Sequence, residues 1–136
     1  MNVLVAGDSQ VYLQDHWKRK LASPIDHVGN MIKAENLLTL TQTIKLKPLF
    51  DYRDAVGKQT RFIVRGLERN EFGQKVQPDR LVRLVSENAV LLEAEGLLDY
   101  WGNRKIYEML LMPPTRHLMT HLNEASSLAR LLKKRK

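Results

Sequence analysis

The chain of 136 residues, 43% hydrophobic and 27% charged, has the length and composition of one soluble globular domain. It contains no cysteine, which excludes disulfide bonds and thiolate metal sites. No segment has the basic start and apolar run of a signal peptide or the length to cross a bilayer, so we expect a cytoplasmic protein without membrane contact.

The net charge of +7 is distributed unevenly along the chain. Residues 51–85 carry a net charge of +3 and residues 113–136 a net charge of +5, whereas residues 86–112 carry −3. A polyanion such as nucleic acid is the natural partner for that distribution. The alternative is that the excess charge only keeps the protein soluble.

The N-terminal part, residues 1–43, is predicted to combine a strand with helices. The apolar run from Asn2 to Ala6, followed by Gly-Asp-Ser, favours a short buried strand and a turn. Residues 11–21 are predicted to form a helix that ends before Pro24. Residues 31–40 are also helical by composition, with their apolar side chains on one side.

A short edge strand is predicted over residues 44–49, where apolar and basic residues alternate. Residues 51–56 are predicted to form a short helix that Gly57 ends. We predict a further helix over residues 58–71. The run from Arg61 to Val64 also suits a strand, and that alternative stays open here.

The predicted helix over residues 58–71 carries a continuous basic stripe. Its basic residues follow one another at spacings of 3, 4 and 4, which aligns them along one side of a helix. In the alternative interpretation this side is only a solvated face, with ion pairs from Arg65 to Glu68 or Glu71. The stripe consists of Lys58, Arg61, Arg65 and Arg69.

The sequence from residue 80 to residue 112 predicts a helix followed by a β-hairpin. The helix is expected over residues 80–95, with Gly96 as its C-cap. Two runs rich in aromatic and aliphatic residues, 97–101 and 105–112, then flank Gly102-Asn103, a pair that tolerates the positive φ of a two-residue turn. After two prolines, Thr115 is predicted to cap a final helix.

This order of helix, glycine, hairpin and helix resembles the end of winged-helix transcriptional regulators. The resemblance implies an α+β, mainly helical single domain over residues 1–136, with a winged-helix-like helix–hairpin–helix C-terminal part. Residues 44–114 would then form the winged-helix-like core, 115–132 the C-terminal helix and 133–136 a basic tail.

In that family the helix before the wing usually enters the major groove. Here that region carries three glutamates, which phosphates would repel, so residues 57–73 look more like the recognition helix. Residues near the start of this helix are expected to reach bases, and the basic residues of the stripe and of the wing are expected to contact phosphates or guanine edges. The expected DNA-binding residues are Lys58, Gln59, Thr60, Arg61, Arg65, Arg69, Arg104 and Lys105.

We therefore predict a DNA-binding protein that regulates transcription or replication by occupying a site, without a cofactor. RNA is an open alternative as the nucleic acid. A homodimer is expected through the apolar face of the C-terminal helix. The alternative function is a protein–protein adaptor or an assembly subunit of a phage or mobile-element complex, with no catalytic activity.

Two other patterns suggest a catalytic serine and a zinc site, and neither is included in the predicted function. Residues 2–9 resemble the opening block of SGNH-type hydrolases, with Ser9 as the nucleophile, but no Asp-x-x-His follows to activate it. His117, His121 and Glu124 share a helix face and are residue types that ligate zinc. Such histidine pairs are common by chance on helices, so no metal site is predicted. Because no Asp-x-x-His follows Ser9, no enzyme is predicted either.

Overall fold

In the computed structural model the chain is all-α, and the structure describes residues 1–27, 29 and 31–134. No β-strand forms within these residues, so the predicted α+β class and the winged-helix-like hairpin are both wrong. Shorter helical turns lie at Asn2–Ala6, Val11–Leu13, Leu92–Ala94 and Met112–Arg116. The α-helices are α1 (Trp17–Leu21), α2 (Ala34–Thr43), α3 (Leu46–Gly66), α4 (Pro78–Ser86), α5 (Glu95–Gly102), α6 (Ile106–Leu111) and α7 (His117–Lys134).

The segment that was predicted to form a hairpin is a pair of short helices, α5 and α6. Leu98 and Trp101 are three residues apart, as are Ile106 and Met109, so each pair occupies one face of a helix. All four side chains contact the same apolar core, and Met109 is only 1% exposed. Burial of these two helix faces outweighs the strand propensity of the aromatic and β-branched residues.

The pair Gly102-Asn103 ends a helix and makes no hairpin turn. Asn103 has φ −89° and ψ 1°, which is not the left-handed conformation that a two-residue hairpin requires. Its N–H donates to the carbonyl of Asp99, 3.2 Å away, at the end of α5. A Cβ on Gly102 would lie 2.8 Å from Cδ1 of Leu81, so the glycine permits a close approach of α5 to α4.

The N-terminal segment lies at the centre of the main core and is not a strand. Asn2–Ala6 forms a π-helical turn, and Val3, Leu4 and Val5 are all buried. They pack against α3, α4 and α6, whose contributions include Ile63 and Met109. A strand here would lack a neighbour for its polar backbone groups, because the described chain has no sheet, and a helical turn satisfies part of them internally.

Arginine side chains of α4 satisfy the carbonyls that this turn leaves free. The Arg80 guanidinium donates to the carbonyl of Leu4, 3.2 Å away, and to that of Val5. Arg83 donates to the carbonyl of Gly7, which has a φ of 75° and ends the turn. The turn and α4 are therefore joined by polar as well as apolar contacts.

Helix α4 ends nine residues earlier than predicted, at Ser86. Asn88 adopts the left-handed conformation with φ 52°, and its N–H donates to the Val85 carbonyl at 3.0 Å. The N–H of Ala89 donates to the Leu84 carbonyl at 2.8 Å, which completes a Schellman motif. Gly96, the predicted C-cap, lies instead inside α5.

Helix α3 replaces three predicted elements with one helix of 21 residues. The predicted edge strand over residues 44–49 and the break at Gly57 are wrong. Pro48 lies in the first turn of α3, where a backbone N–H has no intrahelical partner. The N–H that proline lacks therefore costs no hydrogen bond here. A second apolar cluster is formed by Val11, Trp17 and Leu21. Tyr52 and other side chains of α3 pack against it.

The remaining predicted helices form with different bounds. The helix predicted over residues 11–21 is divided into Val11–Leu13 and α1, because Asp15 and His16 have positive φ. Helix α2 begins three residues later than predicted and ends at Thr43. In the predicted cap of the last helix, the Thr115 hydroxyl donates backward to the Leu111 carbonyl. Of the predicted basic tail 133–136, the last two residues lie outside the described residues.

Candidate nucleic-acid interface

Helix α3 presents its basic residues to solvent because its opposite face is held in both apolar clusters. Tyr52 and Val56 face the cluster around Trp17, and Ile63 is buried in the main core. These three positions lie on one side of the helix at about 100° per residue. The orientation of α3 about its own axis is therefore fixed by burial along most of its length.

The outward face of the C-terminal half of α3 carries three cations. Lys58, Arg61 and Arg65 are all exposed, and their positions fall within an arc of about 60° on the helix. Lys58 and Arg65 are seven residue steps apart, which corresponds to about 10 Å along the axis. The predicted helix is present here, although it ends at Gly66 and not at residue 71.

These cations have no carboxylate partner within the described part of the chain. The proposed ion pairs from Arg65 to Glu68 and Glu71 do not form. The Glu71 carboxylate instead accepts a hydrogen bond of 2.6 Å from the backbone N–H of Glu68. The charges of the stripe are thus left for solvent or for a ligand.

The other residues predicted on this helix are placed differently. Gln59 and Thr60 are half-buried and lie in the middle of α3, whereas they were expected near a helix start. Arg69 is exposed but belongs to the turn after α3. The structure therefore joins Lys58, Arg61 and Arg65 on one face and leaves Arg69 just beyond its end.

The cations of the predicted wing lie between α5 and α6. The Arg104 guanidinium forms an ion pair of 3.0 Å with Glu108 and lies 4.2 Å above the ring of Tyr100. The hydrogen bond from the Lys105 backbone N–H, followed by the Arg104 guanidinium, lowers the pKa of the Glu108 carboxyl below its usual value. Lys105 is exposed at the start of α6. Arg104 is half-buried and engaged by Glu108 and Tyr100, and no hairpin presents either residue of the predicted wing among the described residues.

Phe62 is an apolar residue on the surface of α3 that was not among the predicted site residues. Its side chain is 72% exposed and lies beside the stripe, at the edge of an open cleft of about 360 Å³. Trp17, Lys58 and Gln59 also line this cleft. The neighbouring Ile63 takes the buried position, and a step of about 100° between adjacent residues explains why only one of the two can be inside.

Ser9 and the histidine pair are both engaged in hydrogen bonds with other side chains. The Ser9 hydroxyl donates to the Glu87 carboxylate at 2.8 Å, which ties the N-terminal loop to the end of α4. His121 lies 2.8 Å from His117 between their Nε2 atoms, and its Nδ1 lies 3.0 Å from the Glu124 carboxylate. Among the described residues, no group of three or more acidic or histidine side chains is arranged to hold a metal ion.

Comparison of the chain with protein-family models, curated proteins and solved structures finds no match. None of the described helices combines the length and the apolar character needed to cross a membrane. The side chains described above are therefore the basis for a functional proposal.

Proposed function

We propose that this protein binds nucleic acid through the basic face of α3, with duplex DNA as the preferred form. The observation that carries the proposal is the alignment of Lys58, Arg61 and Arg65 on one exposed helix face, without a carboxylate partner among the residues that the structure describes. Arg69, exposed in the turn after α3, is proposed to add a further phosphate contact past the helix end. Regulation of transcription or replication by occupancy of a site is the role proposed for this binding.

The dimensions of the basic face suit a phosphate backbone. Its length of about 10 Å corresponds to about three base-pair steps of 3.4 Å. Because these guanidinium groups form no ion pair within the described protein, none has to be broken before they bind a phosphate. With three or four phosphates neutralised, the logarithm of the affinity should fall with the logarithm of the salt concentration at a slope of about −3.

A fluorescence-anisotropy titration with duplex DNA, duplex RNA and single strands at 50 and 200 mM salt tests the proposal. With three phosphate contacts, we expect the affinity for the duplex to fall about 40-fold between these concentrations. Absence of binding to every nucleic acid at the lower salt concentration would overturn the proposed function. Stronger binding to single strands would reassign the ligand and would draw attention to Phe62, because an exposed aromatic ring stacks on unpaired bases.

A set of variants tests whether the α3 face is the contact surface. Replacement of Arg61, Arg65 and Arg69 together with alanine should abolish binding in a gel-shift titration and leave thermal stability nearly unchanged. Arg53→Ala is the matched control, because Arg53 is exposed on the same helix about 80° or more from the stripe. Undiminished binding by the triple variant would exclude the stripe.

The second candidate function is that of an adaptor or assembly subunit without nucleic acid, and one observation favours it. Leucine side chains of α2 and α7 are exposed, including Leu38, Leu122 and Leu128. Exposed apolar side chains that recur along a helix are typical of contact surfaces. An adaptor would show no nucleic-acid affinity for salt to weaken, which separates the two functions. A homodimer through α7 is proposed with either function.

A further inference from the structure

Helix α7 makes no contribution to either apolar core, and its apolar residues repeat with a heptad spacing. All of its residues are exposed, and Leu118, Leu122 and Leu132 are 47%, 51% and 64% exposed. Together with Ala125 and Ala129 they follow one another at spacings of 4, 3, 4 and 3, which is the spacing of a coiled-coil seam. We call these five residues the seam.

From this arrangement we infer that α7 pairs with α7 of a second copy of the chain in an antiparallel orientation. The inference rests on the proposed homodimer and is independent of nucleic-acid binding. It specifies the direction of the partner helix and the side chains that meet. The two-fold axis passes between Asn123 and Glu124.

The volumes along the seam favour this antiparallel register. With the axis between residues 123 and 124, Leu118 meets Ala129 of the second copy and Leu122 meets Ala125. Each of these layers then contains one large and one small side chain, which interdigitate at an even distance between the helices. In a parallel pair, Ala125 and Ala129 would meet themselves and leave two adjacent layers underfilled.

The charges of α7 favour the same orientation. The last turns contain Arg130, Lys133 and Lys134, and Glu124 is the only acidic residue of the helix. A parallel pair would place two such basic ends side by side. An antiparallel pair in this register separates equivalent basic residues by about 20 to 30 Å along the helix axis, which is well beyond the screening length of about 8 Å at physiological salt. It also places opposite ends of the two helix dipoles together.

The surface area of the chain is consistent with a covered face. The accessible surface is 9942 Å² for 15.8 kDa, whereas a compact monomer of this mass exposes about 7,300 Å². The difference exceeds the roughly 800 Å² that each partner buries in a standard specific interface. A second copy supplies a complementary apolar helix of identical length.

Sedimentation equilibrium of the full chain tests the partner. We expect a dimer, and Leu122→Glu should raise its dissociation constant more than about tenfold, because the seam would then bury a charge. Ser127→Glu, on the opposite side of α7, is the matched control and should leave the constant unchanged. Neither substitution touches the core, so thermal unfolding should be unaffected at concentrations where the protein is monomeric. A monomer at all concentrations tested, or equal effects of the two substitutions, would overturn the inference together with the proposed homodimer.

Cysteine cross-linking tests the orientation of the two helices. The chain has no cysteine of its own, so only the introduced cysteines can form a disulfide. Leu118→Cys and Ala129→Cys proteins are prepared separately, mixed and oxidised. We expect a covalent dimer only in the mixture, since a disulfide requires Cα atoms within about 7 Å. Cross-linking of either protein alone would show a parallel pair. A dimer without any cross-link would exclude this register. Either of these two results would overturn the antiparallel pairing and leave the proposed homodimer in place.

Discussion

Removal of the Arg80 guanidinium should weaken the link between the N-terminal turn and α4. Arg80→Met keeps the apolar stem and removes the donors to the Leu4 and Val5 carbonyls. A hydrogen bond from a charged donor contributes about 1.5 to 3 kcal/mol, and Arg80 is half-buried, so we expect the free energy of unfolding to fall by about 2 kcal/mol. An unfolding entropy of about 2.1 cal/mol/K per residue over the chain makes this a decrease of about 7 °C in Tm.

Thermal and urea unfolding followed by circular dichroism measure this change. Arg83→Met is the nearest comparison: its guanidinium donates to the carbonyl of Gly7 at the surface and lies 3.8 Å from the Glu87 carboxylate, and its loss should lower stability by about 1 kcal/mol, less than the loss of Arg80. Arg130→Met, on the exposed helix α7, should have no effect. Equal stability of the Arg80 and Arg130 variants would refute the idea that the arginine satisfies the end of the buried turn.

Two further predictions concern a partly buried phenol and a left-handed residue. Burial, followed by the nearby Tyr12, raises the pKa of Tyr52 above its usual value of 10.0, so the folded state keeps a proton that the unfolded chain loses. The free energy of unfolding should therefore fall as the pH rises above 10, and this fall should be smaller in Tyr52→Phe when urea unfolding is compared at pH 9 and 11. At Asn88, with φ 52°, glycine should preserve or slightly raise stability, whereas valine should lower it by about 1 to 2 kcal/mol in the same assay. Equal stabilities of these two variants would contradict the left-handed assignment.

The sequence was sufficient to predict helices where a long apolar face recurs, but it did not distinguish a helix end from a hairpin turn. Gly102-Asn103 between aromatic runs satisfies the local rules for a turn, and the same spacing of Leu98 and Trp101 satisfies those for a helix. The choice depends on contacts with Leu81 and the N-terminal turn, which are distant in the sequence. Local propensity contains no information about those contacts.

Of the candidate site, the outward position of Lys58, Arg61 and Arg65 was predictable because it follows from helical spacing. The exposure of Phe62 was not, since Phe62 and Ile63 have similar hydrophobicity and only the packed structure decides which is inside. The ion pair between Arg104 and Glu108 has an i to i+4 spacing that would have been recognisable if the segment had been assigned to a helix.

The central position of Val3, Leu4 and Val5 has a consequence for how the chain acquires its structure. Their neighbours Ile106 and Met109 are synthesised about a hundred residues later. The growing polypeptide therefore exposes an apolar N-terminal segment until α6 has left the ribosome. Chains shortened before residue 106 should consequently be insoluble or held by chaperones, however well their individual helices form.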